Sequence, residues 1–161
     1  MGTVHELYER YARDVYRFAV YLSGNPTDAE DILSETFVRL WTAPGEIRNA
    51  TVKAYLLTIA RNVYRSRRAA ASRFRELDAS MPDERVDVEA RAAARSELAR
   101  VFRALKALPE VDRSALLMRM HDVPYDEISP ALGLSVTAAK VKVHRARMRL
   151  LAGRTQEEVR A

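Results

Sequence analysis

The sequence predicts an all-α protein made of two small helical domains. Three observations carry that reading. Glycine occurs only five times in 161 residues, and apolar residues recur every three to four positions along most of the chain. The third is a single interruption: residues 71–90 include Met81-Pro82-Asp83, and from Glu76 to Glu89 there are six acids against one arginine. Such a stretch reads as a flexible acidic tether. The implied layout is an N-terminal domain over 1–70, a linker over 71–93, a C-terminal domain over 94–153 and a tail over 154–161.

The first helix is expected from about His5 to Leu22, with Leu7, Tyr8, Tyr11, Val15, Phe18, Ala19 and Leu22 on its inner face and Gly24-Asn25-Pro26 ending it. The second starts at Thr27, where Thr27 and Glu30 have the spacing of a capping box. Its inner stripe is Ala29, Ile32, Leu33, Thr36, Phe37 and Leu40, Trp41 at its end reads as a core anchor ahead of a stacking platform, and Ala43-Pro44-Gly45 breaks it. A third helix follows from about Val52 to Arg68, with Tyr55, Leu56, Ile59, Ala60 and Val63 inward. After the tether, one helix runs from about Glu89 to Leu108 and stops before Pro109. Another is capped by Asp112 and continues through Met120.

Residues 124–150 then read as a helix, a tight turn at Gly133-Leu134 and a second helix capped by Ser135. Ala139, Val143, Ala146 and Leu150 form a stripe that packs on Ile128, Leu132 and Leu116. Lys140, Lys142, Arg145, Arg147 and Arg149 lie off it, and His144 sits among them. From Ile128 to Gln156 there are six Lys or Arg and no acid, in a chain with 22 acids. A solvated face is the commoner fate of a charge run. Here the cap, the turn, the missing acids and the small first-turn residues Thr137 and Ala138 together fit a helix lying in a DNA major groove.

A second acid-free run, Ile47 to Arg75, carries eight cations interleaved with Tyr55, Tyr64 and Phe74. That pairing suits single-stranded nucleic acid, whose bases stack on rings while phosphates meet cations; tyrosines partly in the core are the plainer reading. Asp28, Asp31 and Glu35 make an acidic ridge on the second helix, either solvated or a dock for a basic partner. The net charge of +5 and pI of about 9.7 agree with an anionic partner. The absence of Cys removes disulfides and thiol redox chemistry, and the three His have no metal-type spacing. No cofactor, metal or catalytic constellation is expected, so the protein is not read as an enzyme. No apolar run approaches a membrane span and no secretory signal is visible, so direct membrane insertion is not expected and a cytoplasmic place is.

The two halves, in this order, resemble the extracytoplasmic-function (ECF) sigma factors of bacteria. DAEDILSETFVRLW, 28–41, is similar to the family's polymerase-binding helix; AYLLTIARNVYRSRR, 54–68, to its promoter-melting helix; and residues 108–150, ending in HRAR, to its C-terminal helix-turn-helix domain. The resemblance spans about residues 5 to 152. It implies a dissociable, non-catalytic subunit of RNA polymerase, with core RNA polymerase, promoter DNA and an anti-sigma protein as partners. By resemblance, Asp31, Glu35 and Arg39 face polymerase. The melted −10 strand meets the loop from Pro44 to Ala50, with Arg48 and Asn49, then Lys53, Tyr55, Arg61, Asn62 and Arg65. The −35 duplex meets Ser135, Thr137, Ala138, Lys140, Lys142, His144, Arg145 and Arg147. The chain departs from the family at Ser34, where Gln is frequent, at Met118, where an Arg touches phosphate, at Pro130, and at Ala138-Ala139. The competing reading is an autonomous helix-turn-helix regulator binding an operator as a dimer. It leaves the 47–75 tract idle and lacks a spare apolar stripe for dimerisation. A sigma-like interaction protein that never starts transcription is the third.

Overall fold

A computed structural model describes residues 3–42, 52–77 and 97–160, with side chains through Gly153. The expected −10 residues Arg48 and Asn49 and most of the acidic linker lie outside the described residues. Seven helices are present among the described residues: α1 (Val4–Ser23), α2 (Pro26–Thr42), α3 (Val52–Leu77), α4 (Glu97–Ala107), α5 (Glu110–Met120), α6 (Tyr125–Leu132) and α7 (Val136–Arg160). There is no strand among them.

The starts and stops follow local chemistry. Thr3 and Glu6 form a reciprocal capping box, with backbone-to-side-chain bonds of 3.2 and 3.3 Å. Gly24 then ends α1 in the left-handed region at φ 70°. The cap of α2 lies two residues earlier than the Thr27–Glu30 spacing suggests. Asn25 Oδ1 accepts from the Thr27 and Asp28 N–H groups at 2.9 and 3.1 Å, and Pro26 takes the first helical position, where its missing N–H costs nothing. Helix α3 continues to Leu77, so its last turns occupy the start of the stretch read as linker. Arginine and alanine favour helix there, and residues 65–77 contain no glycine or proline to stop it.

Helices α1, α2 and α3 pack on one another around Val15, Phe18, Leu22, Ile32, Leu56 and Leu57. Helix α7 packs on α4, α5 and α6 around Leu116, Ile128, Ala139, Val143 and Ala146. The stripe predicted on α7 is therefore its inner face, with Leu150 half-buried at the end. The turn between α6 and α7 is as read. Gly133 has φ 67°, and the Ser135 hydroxyl accepts from the Ala138 N–H at 3.0 Å. Pro130 stands in the second half of α6, with its ring exposed. The bond it forfeits, to the Asp126 carbonyl, lies on the wet side of the helix.

The two domains share one buried cluster. Tyr21 of α1 stacks on Phe102 of α4 at 5.2 Å between centroids, and Phe18 meets the His121 ring edge-on at 6.2 Å. No helix among the described residues is long and apolar enough to cross a membrane.

Candidate nucleic-acid interface

The outer surface of α7 presents Thr137, Lys140, His144, Arg147 and Arg149 to solvent, with Ser135 at its head and Ala138 half-buried. Lys140 Nζ lies 5.8 Å from the centre of the Tyr125 ring, and Arg119 lies over the same ring at 5.1 Å. One aromatic ring of α6 thus meets two cations. Lys142 and Arg145 lean the other way, onto α5. Lys142 Nζ donates to Asp112 Oδ1 at 3.3 Å and Arg145 Nε donates to Asp112 Oδ2 at 3.1 Å, with Nη2 3.0 Å from the same oxygen. Asp112 is accordingly no cap. It lies inside the first turn of α5, 1% exposed, and a carboxylate so placed needs charged partners. Met118, at the position of the family's phosphate-touching Arg, is fully buried. Arg119 beside it is half-buried and donates to the Val123 carbonyl at 3.3 Å.

The other cationic helix, α3, is arranged differently. Asn62 and Arg65 are exposed and Tyr55 is half-buried against the core. Arg61, expected on a strand-holding face, is buried. Its Nε and Nη2 donate to the two oxygens of Glu110 on α5 at 2.8 and 3.0 Å. Burial raises the Glu110 carboxyl, but the hydrogen bond and charge of Arg61, the Ser114 hydroxyl and the charge of Arg65 outweigh it. Glu110 is held below its ordinary range. Lys53 donates to the His121 carbonyl at 3.2 Å. The His121 imidazole is held below its usual value by burial, aided by Lys53 and Arg17 and opposed by Asp14, 3.8 Å away, and by Asp122.

Arg113 crosses the same boundary. It is 6% exposed, reaches the Tyr64 hydroxyl at 3.1 Å and the Leu105 carbonyl at 3.4 Å, and lies over the Tyr64 ring. Its Nε is buried with no hydrogen-bond partner among the described residues.

The acidic ridge of α2 is on the surface but not bare. Arg67 of α3 bridges Asp31 at 3.0 Å and Asp28 at 3.7 Å, and Glu35 pairs with Arg39 at 3.0 Å. Trp41 does not anchor the core: it is 69% exposed, and with Val38 and Tyr8 it lines an apolar depression over Phe37 and Ser34. Phe37, one turn before Trp41, faces the core and meets the Tyr8 ring edge-on at 5.0 Å, leaving Trp41 on the outer side. The sequence reading missed Glu110 and Arg113 altogether, because their partners stand dozens of positions away and no short-range spacing signals them.

Among the described residues no cluster of His, Asp or Glu could hold a metal ion. What remains is a protein with two cationic helices in separate domains and an acidic-apolar face beside one of them.

Comparison with known families gives that layout a class. Sigma-70 region 2 matches residues 7–74 and Sigma-70 region 4 matches residues 98–150, the two parts of a sigma factor in their order. The ECF RNA polymerase sigma factor SigM of Bacillus subtilis is 30% identical over 155 residues, covering 93% of this chain and 94% of SigM. SigE of Mycolicibacterium smegmatis, also an ECF RNA polymerase sigma factor, is 29% identical over 158 residues; the match covers 93% of this chain but only 61% of SigE. The fold is that of the sigma factor RpoE of Bartonella quintana, solved with the anti-sigma factor NepR, at TM-score 0.77 and 21% identity, covering 94% of this chain and 96% of RpoE. The chain belongs to the ECF RNA polymerase sigma factor family.

Proposed function

We propose that this chain is an alternative sigma factor that binds core RNA polymerase, directs it to particular promoters and is held in check by an anti-sigma protein. The observation that carries the reading is the pairing of regions 2 and 4 in one chain, each with its own cationic helix. Its part in transcription is recognition, not catalysis, and it acts where polymerase does, in the cytoplasm.

In this reading α7 enters the −35 major groove. Thr137 and Ala138 let the backbone approach, while Lys140, His144, Arg147, Lys142 and Arg145 meet phosphates and base edges. Lys53, Tyr55, Asn62 and Arg65 hold the opened −10 strand, together with Arg48 and Asn49 before them. Arg61 joins them once the domains part and Glu110 releases it. Asp31, Glu35 and Arg39 form the polymerase-facing side. Val38 and Trp41 extend it with exposed apolar surface of the kind protein docking uses. The anti-sigma partner is inferred from the company that the structural relative keeps.

Run-off transcription with bacterial core polymerase and a genomic promoter library tests the assignment. Core-dependent initiation is expected. Lys140→Ala with Arg145→Ala should abolish −35-dependent initiation while core still captures the chain in a pull-down. Tight duplex binding without core and no initiation would instead fit an autonomous regulator.

A further inference from the structure

We infer that Asp112 is a positioning residue for DNA recognition: from beneath α7 it sets Arg145, with Lys142, in the pose that meets the promoter duplex. The inference rests on the reading of α7 as the −35 helix. Asp112 comes from α5, not from the recognition helix, and its carboxylate is 1% exposed. Its two oxygens are divided between two cations of α7: Oδ1 takes Lys142, and Oδ2 takes Arg145.

The geometry at Arg145 separates positioning from masking. A guanidinium carries five N–H donors on three nitrogens. Asp112 engages the Nε and Nη2 side, and Nη1 takes no partner among the described residues. The side chain remains 46% exposed, against 26% for Lys142. Arg145 is therefore held by one edge and offers the other. A long side chain loses rotamer freedom when it binds; one fixed beforehand loses less, which is the advantage of preorganisation. Lys140, His144 and Arg147 carry no such restraint from a carboxylate among the described residues. A purely structural role explains less, because one cation would already pair a carboxylate in the first turn of α5, where the helix end favours negative charge.

The test uses the full chain and a duplex enriched from a random-sequence pool by the chain bound to core polymerase. Affinity is read by fluorescence anisotropy well below each variant's melting temperature. Asp112→Asn keeps the shape and removes the charge, and it is expected to weaken binding about tenfold. Arg145→Ala should weaken it at least as much, and the double variant should bind no worse than Arg145→Ala alone, because the two act through one contact. Unchanged affinity for Asp112→Asn with a lowered melting temperature would make Asp112 structural and overturn the proposal. Tighter binding would make it a mask and overturn it equally. If Arg145→Ala and Lys140→Ala both bind as the unaltered chain does, the reading of α7 itself falls and this inference with it. Should Asp112→Asn not fold, Arg145→Lys serves, since it keeps the charge but not the planar edge that Asp112 grips. Weaker binding is expected, and equal affinity overturns the proposal.

Discussion

Helices α3 and α7 look alike as strings of residues: each is cationic, free of acids over its core length, and amphipathic. In three dimensions the two helices use their cations differently. Arg61 of α3 lies under the neighbouring domain, its guanidinium closed off by Glu110, whereas α7 turns Lys140, His144 and Arg147 to open solvent. Both helices send cations to the same short helix, α5. Glu110 takes one from across the domain boundary, and Asp112 takes two from within its own domain. A cationic face is thus not a property of one helix. Its availability is set by which carboxylate the fold brings to it.

The largest way to break the contrast is Glu110→Ala. It strands Arg61, whose side chain is only 6% exposed, without its carboxylate. Breaking a fully buried pair this way costs ~3–5 kcal/mol. Because Glu110 is a quarter exposed, about 2 kcal/mol is expected, a fall in melting temperature of roughly 4–8 °C. No change on thermal melting would mean that α3 is as open as α7.

Acid should act more gently in the same direction. His121 at the boundary has its pKa lowered in the folded chain, so its contribution is present above the ordinary imidazole range and is lost as pH falls through the depressed value. Glu110, also lowered, repeats the pattern at more acid pH. Melting temperature should therefore decline from neutral pH downward, and His121→Gln should flatten the upper part of that decline. An unaltered profile in the variant would remove His121 from the account. The smallest effect is expected for Arg147→Ala on the exposed side of α7, within about 0.5 kcal/mol in a denaturant melt. A larger loss would show that α7 too is tied down by its surface.

What could be read in advance was what depends on neighbours in sequence. Gly133 in a left-handed turn, Ser135 as a cap and the inner stripe Ala139, Val143 and Ala146 all follow from spacing within one or two helical turns, and all are present. The all-α fold followed from the same periodicity. Errors arose where a residue had two local uses. Asp112 has the chemistry of a cap but the burial of an ion-pair partner, and Trp41 is large and apolar yet stands on the outer side of α2. Asn25 outcompeted Thr27 as a cap because Pro26 fixes the first helical residue after it. The pairing of Arg61 with Glu110 spans 49 positions and two domains, and no periodicity encodes it.

Arg113 shows that joining the two domains has a cost. A guanidinium sunk at the boundary with a phenol, a carbonyl and a ring for company keeps one N–H buried without a hydrogen-bond partner among the described residues, and such a group costs stability. Water would reach that N–H if the domains separated. In the proposed function, rehydration of Arg113 would offset part of the work of parting the two domains.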